Sequence, residues 1–203
     1  ALRDLKEVWL TSVESGAYSF NGDSKKLLYA LESVDSGNVA PTLINILKGL
    51  QFNSGGTQRV LRAIASSGGA NETGTAIAWI LDNAKDDEVS GGAILVELIE
   101  ELRRRRVRPN GVETLAETMV SAGDAYMPAV FATAGAWKLA KYYDLLVTHS
   151  RQMENRVTQS QAIRAIGFYQ NDAARIDLSE ITNGDDQIGA VAAIEALSTF
   201  AVE

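Results

Sequence analysis

Leu61-Arg62-Ala63-Ile64 returns along the chain as Leu95-Val96-Glu97-Leu98 and as Ile163-Arg164-Ala165-Ile166, and is preceded by Leu28-Tyr29-Ala30-Leu31. The closing apolar residues fall at 31, 64, 98 and 166, in steps of 33, 34 and 68, the last being twice 34. A fixed period of this length marks a stacked-repeat chain, in which each unit buries its apolar face against its neighbours. A second register keeps the same period. It runs through Leu43-Ile44-Asn45-Ile46-Leu47, Ile77-Ala78-Trp79-Ile80-Leu81, Val112 to Met119 and Ile176 to Ile181. Its anchors Leu47, Leu81, Leu115, Leu146 and Ile181 step by 34, 34, 31 and 35. Two apolar registers on one period predict paired helices and an all-α fold. The expected form is a stack of about five to six antiparallel helix pairs.

The connections agree. Ser33 to Asn38 and Ser66 to Asn71 are turn clusters at equivalent places, rich in residues that satisfy their own backbone. Pro41 stands near a helix start, where a missing N–H costs nothing. Asp124 and Asp185-Asp186 precede helices and suit free N–H groups there. Arg103 to Arg108, followed by Pro109 and Gly111, reads as a helix end with cations in its last turn. These signals predict helices near 2–14, 24–34, 40–50, 57–67, 73–84, 89–106, 111–121, 126–136, 138–150, 157–169, 174–182 and 187–200. Between Ala129 and Val147 the only break signal is Gly135. Two helices or one long bent helix fit there.

Composition narrows the chemistry. The 203 residues include no cysteine and one histidine, His149. Disulfides, thiol nucleophiles, thiolate metal sites and multi-histidine zinc sites are thereby excluded. No cofactor and no metal site is expected. No run of about 20 apolar residues is present, so no membrane span is expected. The net charge of −7 disfavours non-specific nucleic-acid binding, which needs a basic face. The first residue is Ala1, which fits a cytoplasmic protein, or a periplasmic or secreted one if Ala1 is a processed terminus.

Ala162-Ile163-Arg164-Ala165-Ile166-Gly167 and Ala192-Ala193-Ile194-Glu195-Ala196-Leu197, with the turn Asn171-Asp172-Ala173-Ala174, resemble HEAT-type repeats. The similarity is greatest to the short bacterial kind called lyase-like HEAT repeats, and spans roughly residues 24 to 200. The resemblance implies one domain over 1–203, a right-handed α-solenoid (superhelix) of about five to six antiparallel helix pairs, with repeats from 24 to 203 and a capping helix and connection over 1–23. Leu2, Leu5, Val8 and Trp9 share one face of that cap. The family often places an arginine at the start of the second helix, where the last repeat has Gly189 or a neighbour. The third and fourth repeats are degenerate: Glu97 replaces a small residue, and the signature has no clear match near Phe131.

The resemblance further implies that the second helices line a concave face. Its variable position holds Tyr29, Arg62, Val96, Arg164 and Glu195. Arg62 and Arg164 stand three periods apart, about 30 Å at roughly 10 Å per stacked pair. They either grip an acidic partner or pair with loop carboxylates of the neighbouring repeat. Arg103, Arg104, Arg105, Arg106 and Arg108 form the sharpest charge feature. They either bind an anionic partner or are a solvated helix end, with Glu100–Arg104 and Glu101–Arg105 as i,i+4 pairs. Three Ser-Gly-Gly triplets, at 54–56, 67–69 and 90–92, lack the lysine and strand-to-helix setting of a phosphate loop; they read as tight inter-helix connectors. Trp79 and Trp137 read as packing residues, and His149 as a surface or helix-end group rather than a base. Asp86-Asp87-Glu88 and Asp185-Asp186 lack calcium-loop spacing.

The expected function is a non-catalytic protein–protein interaction or scaffold module that binds a protein or peptide, acidic in character, on the concave face. The alternative is a nucleic-acid-binding or DNA-repair enzyme on a HEAT-like scaffold, using the arginine cluster. Enzymatic activity is the less favoured reading, because no acid, base and nucleophile set converges in the sequence.

Overall fold

The computed structural model describes residues 39–49, 54–84 and 88–200. The helices expected near 2–14 and 24–34, the cap over 1–23 and Tyr29 lie outside the described residues. Among the described residues the chain is all-helical, with ten α-helices and no strand. They are α1 (Val39–Gly49), α2 (Ser54–Ser67), α3 (Ala70–Asn83), α4 (Glu88–Arg105), α5 (Val112–Ala122), α6 (Met127–Trp137), α7 (Tyr143–Ser150), α8 (Arg156–Gly167), α9 (Asp172–Thr182) and α10 (Gln187–Leu197). Short 3₁₀ turns at Asp124–Tyr126 and Ala140–Tyr142 lead into α6 and α7. No helix among the described residues is long and apolar enough to cross a membrane.

The two sequence registers occupy alternate helices. Leu61 and Ile64, Leu95 and Leu98, and Ile163 and Ile166 fall on α2, α4 and α8, all buried. Leu47, Leu81, Leu146 and Ile181 fall on α1, α3, α7 and α9, also buried. The contacts follow the same alternation. α2, α4, α6, α8 and α10 pack against one another in chain order, and each also packs against the odd-numbered helix before it. α1, α3 and α5 touch in sequence, whereas α5, α7 and α9 touch one another far less. One continuous apolar core runs through the described helices.

Local chemistry sets the boundaries. Asn155 accepts from the Thr158 N–H at 3.1 Å and Asn171 from the Ala174 N–H at 2.8 Å, so both start helices as N-caps. Pro128 stands in the first turn of α6. Of the two forms left open between Ala129 and Val147, the chain takes two helices. Gly135 is inside α6, and the break is at Lys138, which takes φ 53°. The Lys138 N–H donates to the Gly135 carbonyl and the Leu139 N–H to the Ala134 carbonyl, the paired pattern that closes a helix around a left-handed residue. α4 ends in the same way: Arg106 takes φ 58°, with its N–H on the Arg103 carbonyl and that of Val107 on the Leu102 carbonyl. Both left-handed positions lack glycine, and a Cβ is strained there. Replacing Lys138 by glycine is therefore expected to raise stability by about 1 kcal/mol, read as a higher midpoint in urea at unchanged slope.

The Ser-Gly-Gly triplets also need correction. Only Gly68 and Gly69 are connectors; 54–56 and 90–92 lie in the first turns of α2 and α4. Gly92 serves close packing, since a Cβ there would drive into the Ala125 carbonyl oxygen before α6. At α3, Glu72 reaches back to accept from the Gly69 N–H at 3.0 Å, and the helix starts three residues ahead of the expected 73. Trp79 and Trp137 pack, half-buried, against the core as expected.

Buried polar groups tie the later helices together. The Tyr169 hydroxyl donates to the Leu139 carbonyl at 2.8 Å, and burial pushes its pKa up to about 12. The Tyr143 hydroxyl donates to Asp177 at 2.8 Å. Asp186, ahead of α10, accepts from Gln159 Nε2 at 2.6 Å and from Arg156 at 2.7 Å. The Gln159 amide first, and the Arg156 guanidinium after it, hold its carboxyl below the ordinary aspartate range. A depressed native pKa gives a stabilisation that is complete above the unfolded value and lost as pH falls through the native one. NMR titration of the Asp186 carboxyl carbon is therefore expected to show a midpoint below the ordinary aspartate value of 3.8, and Asp186→Asn to flatten the acid limb of the stability curve.

Candidate binding cleft

A cleft of about 670 Å³ opens along α2 and α4. Leu43 of α1, Leu61 and Ala65 of α2 and Leu98 of α4 form its apolar base, and Ala63 and Ile94 are half-open to it. Its rim is charged: Arg59 and Arg62 come from α2, and Glu97, Glu100, Glu101 and Arg104 from α4. The helical period places the α4 set together. Positions 97, 100, 101 and 104 are i, i+3, i+4 and i+7, which is one face of an α-helix.

The rim charges are already joined. Arg62 donates to Glu97 Oε2 from Nε at 3.2 Å and from Nη2 at 2.7 Å. Glu97 also takes a 3.5 Å contact from Gln58 Nε2. Arg104 pairs with Glu101. Arg164, on α8, reaches Glu100 at 3.1 Å. Of the two alternatives open in the sequence for Arg62 and Arg164, pairing with neighbouring carboxylates is what the structure contains. The carboxylates belong to helix α4 rather than to loops.

The Arg164–Glu100 pair links α4 to α8, the two helices on either side of α6. Arg103 makes a second link, its guanidinium lying 4.2 Å from the centroid of the Phe168 ring at the end of α8. Between these helices α6 is buried at Met127 and at every position from Ala129 to Gly135. The even-numbered helices therefore share a face that is open at α2 and α4 and tied across at α6.

The arginine run disperses into separate tasks. Arg103 covers Phe168, and Arg104 faces the cleft with Glu101. Arg105 donates to the carbonyls of Ala65 and, at 3.0 Å, of Gly68, which satisfies the free C-terminal carbonyls of α2. Arg108 pairs with Glu113 and approaches the Trp137 carbonyl at 3.5 Å. Arg106 is exposed at the left-handed end of α4, and none of its side-chain bonds is found among the described residues. The expected Glu100–Arg104 and Glu101–Arg105 pairs are replaced by Glu101–Arg104, Glu100–Arg164 and the Arg105 cap. Only Arg104 of the run reaches the cleft.

Of the other expected positions, one lands differently. Val96 is half-buried against the core, and Glu97 takes the outward place on α4. The departure from the repeat signature at Glu97 is thus the partner of Arg62. Glu195 is exposed on α10. His149 lies in the last turn of α7 with its ring 5.1 Å from that of Phe131, a helix-end position as expected. In the sequence Glu97 is marked only as a departure from the repeat, and Glu100 and Glu101 only as partners of Arg104 and Arg105; the helical face they share is the signal that joins the three.

Compared with protein-family models, with curated protein sequences and with solved structures, the chain shows no match.

Proposed function

We propose that the chain is a helical-repeat scaffold of HEAT-like type, a right-handed α-solenoid of antiparallel pairs, which binds a protein or peptide segment without catalysing a reaction. The single observation that carries this reading is the cleft on α2 and α4, which lies on the two helices that carry consecutive copies of the repeat signature. Its volume falls within the range of about 300–1,000 Å³ usual for ligand pockets, and it combines an apolar base with oriented polar groups. The solenoid form is supported by the alternation of registers and by the layer geometry. Even-numbered helices stay in contact from α2 to α10 while α5, α7 and α9 draw apart; a row packed closely on one side and loosely on the other curves, with the tight side inward. The even-numbered face is then the concave one, and repeat stacks bind on such faces. The dispersal of Arg103, Arg105 and Arg108 into intramolecular contacts weighs against the nucleic-acid alternative, since phosphate binding needs several free cations on one face.

A displayed library of random peptides panned against the whole chain tests this. Selected clones are expected to lose binding to Ser66→Trp, which fills the cleft from an exposed position on α2, with the helical circular dichroism of the variant unchanged. Clones indifferent to Ser66→Trp, or retention on duplex DNA at physiological salt that is lost in Arg106→Ala/Arg108→Ala, would overturn it.

A further inference from the structure

The rim of the cleft presents arginines and glutamates, yet the two signs are balanced and engaged with each other. Arg62 is held by Glu97, Arg104 by Glu101 and Glu100 by Arg164, and Arg59 is engaged as well. The hydroxyls of Ser66 and Ser67 donate to the Ala63 carbonyl at 3.0 and 2.7 Å. A ligand carboxylate that recruited Arg62 would displace Glu97 and leave that carboxylate without its cation, beside Glu100 and Glu101 on the same helix face. The new pair replaces the old one, and the exchange gains little, because exposed ion pairs of either kind contribute weakly. A phosphate meets the same carboxylates with more negative charge. An apolar side chain has no such competitor. Water that it removes from Ala63 and Ile94 is a net gain, and a volume of about 670 Å³ accommodates bulky side chains without displacing the rim.

We propose that the occupant of the cleft is an uncharged, apolar-anchored peptide segment, presenting leucine, isoleucine or phenylalanine on a stretch free of acidic residues. This rests on the scaffold reading above and replaces the acidic partner expected from the exposed arginines. The paired rim then acts as a selectivity filter. Its ion pairs stay closed over a neutral peptide, donate and accept at its backbone amides, and reject a segment of either net charge by the like-charged half of each pair.

Two capped octapeptides distinguish the possibilities: Ser-Gly-Leu-Leu-Ser-Phe-Gly-Ser, and the same peptide with glutamate at its three serines. Each is titrated into the whole isotope-labelled chain and followed by amide NMR at low and at high salt. The neutral peptide is expected to shift the amides of Ala63, Ile94 and Leu98, with its Kd changing less than about 2-fold between the two salts, because no net charge is screened. The acidic peptide is expected to bind at least about 10-fold more weakly, and Ile94→Asn to weaken the neutral one at least about 10-fold. Tighter binding of the acidic peptide, or an affinity that collapses at high salt, overturns the proposal. If neither octapeptide binds while library-selected clones remain sensitive to Ser66→Trp, the neutral-ligand inference fails and the scaffold reading stands. If those clones are insensitive as well, both fail.

Discussion

Phe131→Ala is expected to destabilise the protein by about 3–5 kcal/mol, the usual range for deleting a buried aromatic ring. Phe131 is fully buried in α6, a helix with α4 on one side and α8 on the other. Its ring stands at 54° to that of His149, with centroids 5.1 Å apart, so the ring contact is lost together with the packing. The cavity left behind has little means of closing, because α4 and α8 are held apart by the remaining side chains of α6 and joined by the Arg164–Glu100 and Arg103–Phe168 contacts. Urea unfolding followed by circular dichroism gives the measurement. A loss below about 1 kcal/mol would mean that α6 is loosely held. Val157→Ala, at a position 69% exposed on α8, serves as the comparison and is expected to stay within about 0.5 kcal/mol of the parent.

Gly135→Ala is expected to lower stability by about 2 kcal/mol, against the sign of intrinsic helix preference. In a free helix the exchange gains about 1 kcal/mol. Here the added Cβ would lie 2.7 Å from Ala165 Cα, 2.9 Å from its Cβ and 3.0 Å from its carbonyl oxygen. Two of these atoms are backbone, so α6 and α8 have to move apart, and overpacking of that kind costs about 3 kcal/mol, the upper end of the usual range, which outweighs the helix gain by about 2 kcal/mol. Ala165→Gly introduced together with Gly135→Ala is expected to recover part of the loss, since it removes one of the three close atoms. A stabilised single variant would show that the two helices are not in backbone contact.

These two sites also show what the sequence disclosed and what it concealed. The period of 34 residues was legible wherever leucine or isoleucine carried it. Near Phe131 it was not, although the register continues: Ala129 and Ala132 lie 34 residues after Leu95 and Leu98 and 34 before Ile163 and Ile166, and both are buried. The copy is present in small residues, because the face of a helix that packs at backbone distance has no room for large ones. Gly135 leaves two readings open for the same reason. A glycine in a helix reads as a break when its neighbour is unknown, and as a packing surface when that neighbour is Ala165. The true break, at Lys138, carries no sequence mark, since an ordinary side chain accepts a left-handed conformation when two backbone hydrogen bonds and a buried Leu139 hold it there. At the cleft, Arg62 and Arg164 were visible as exposed positions in the repeat. Their partners Glu97 and Glu100 lie 35 and 64 residues away, and no local rule joins residues at such separations.

The close approach of Gly135 to Ala165 recurs one step further on, where a Cβ on Gly167 would lie 3.0 Å from Ala196 Cβ. Three successive helices are thus spaced by their backbones, which do not compress or slide as side chains do. That row behaves as an inextensible strip. The odd-numbered helices beside it, from α5 to α9, are joined to one another by side chains instead, Lys141 reaching Glu117 and Tyr143 reaching Asp177, and such links give more readily than backbone contacts. The softest deformation of this half of the molecule is therefore bending about the strip, and its stiffest is stretching along it.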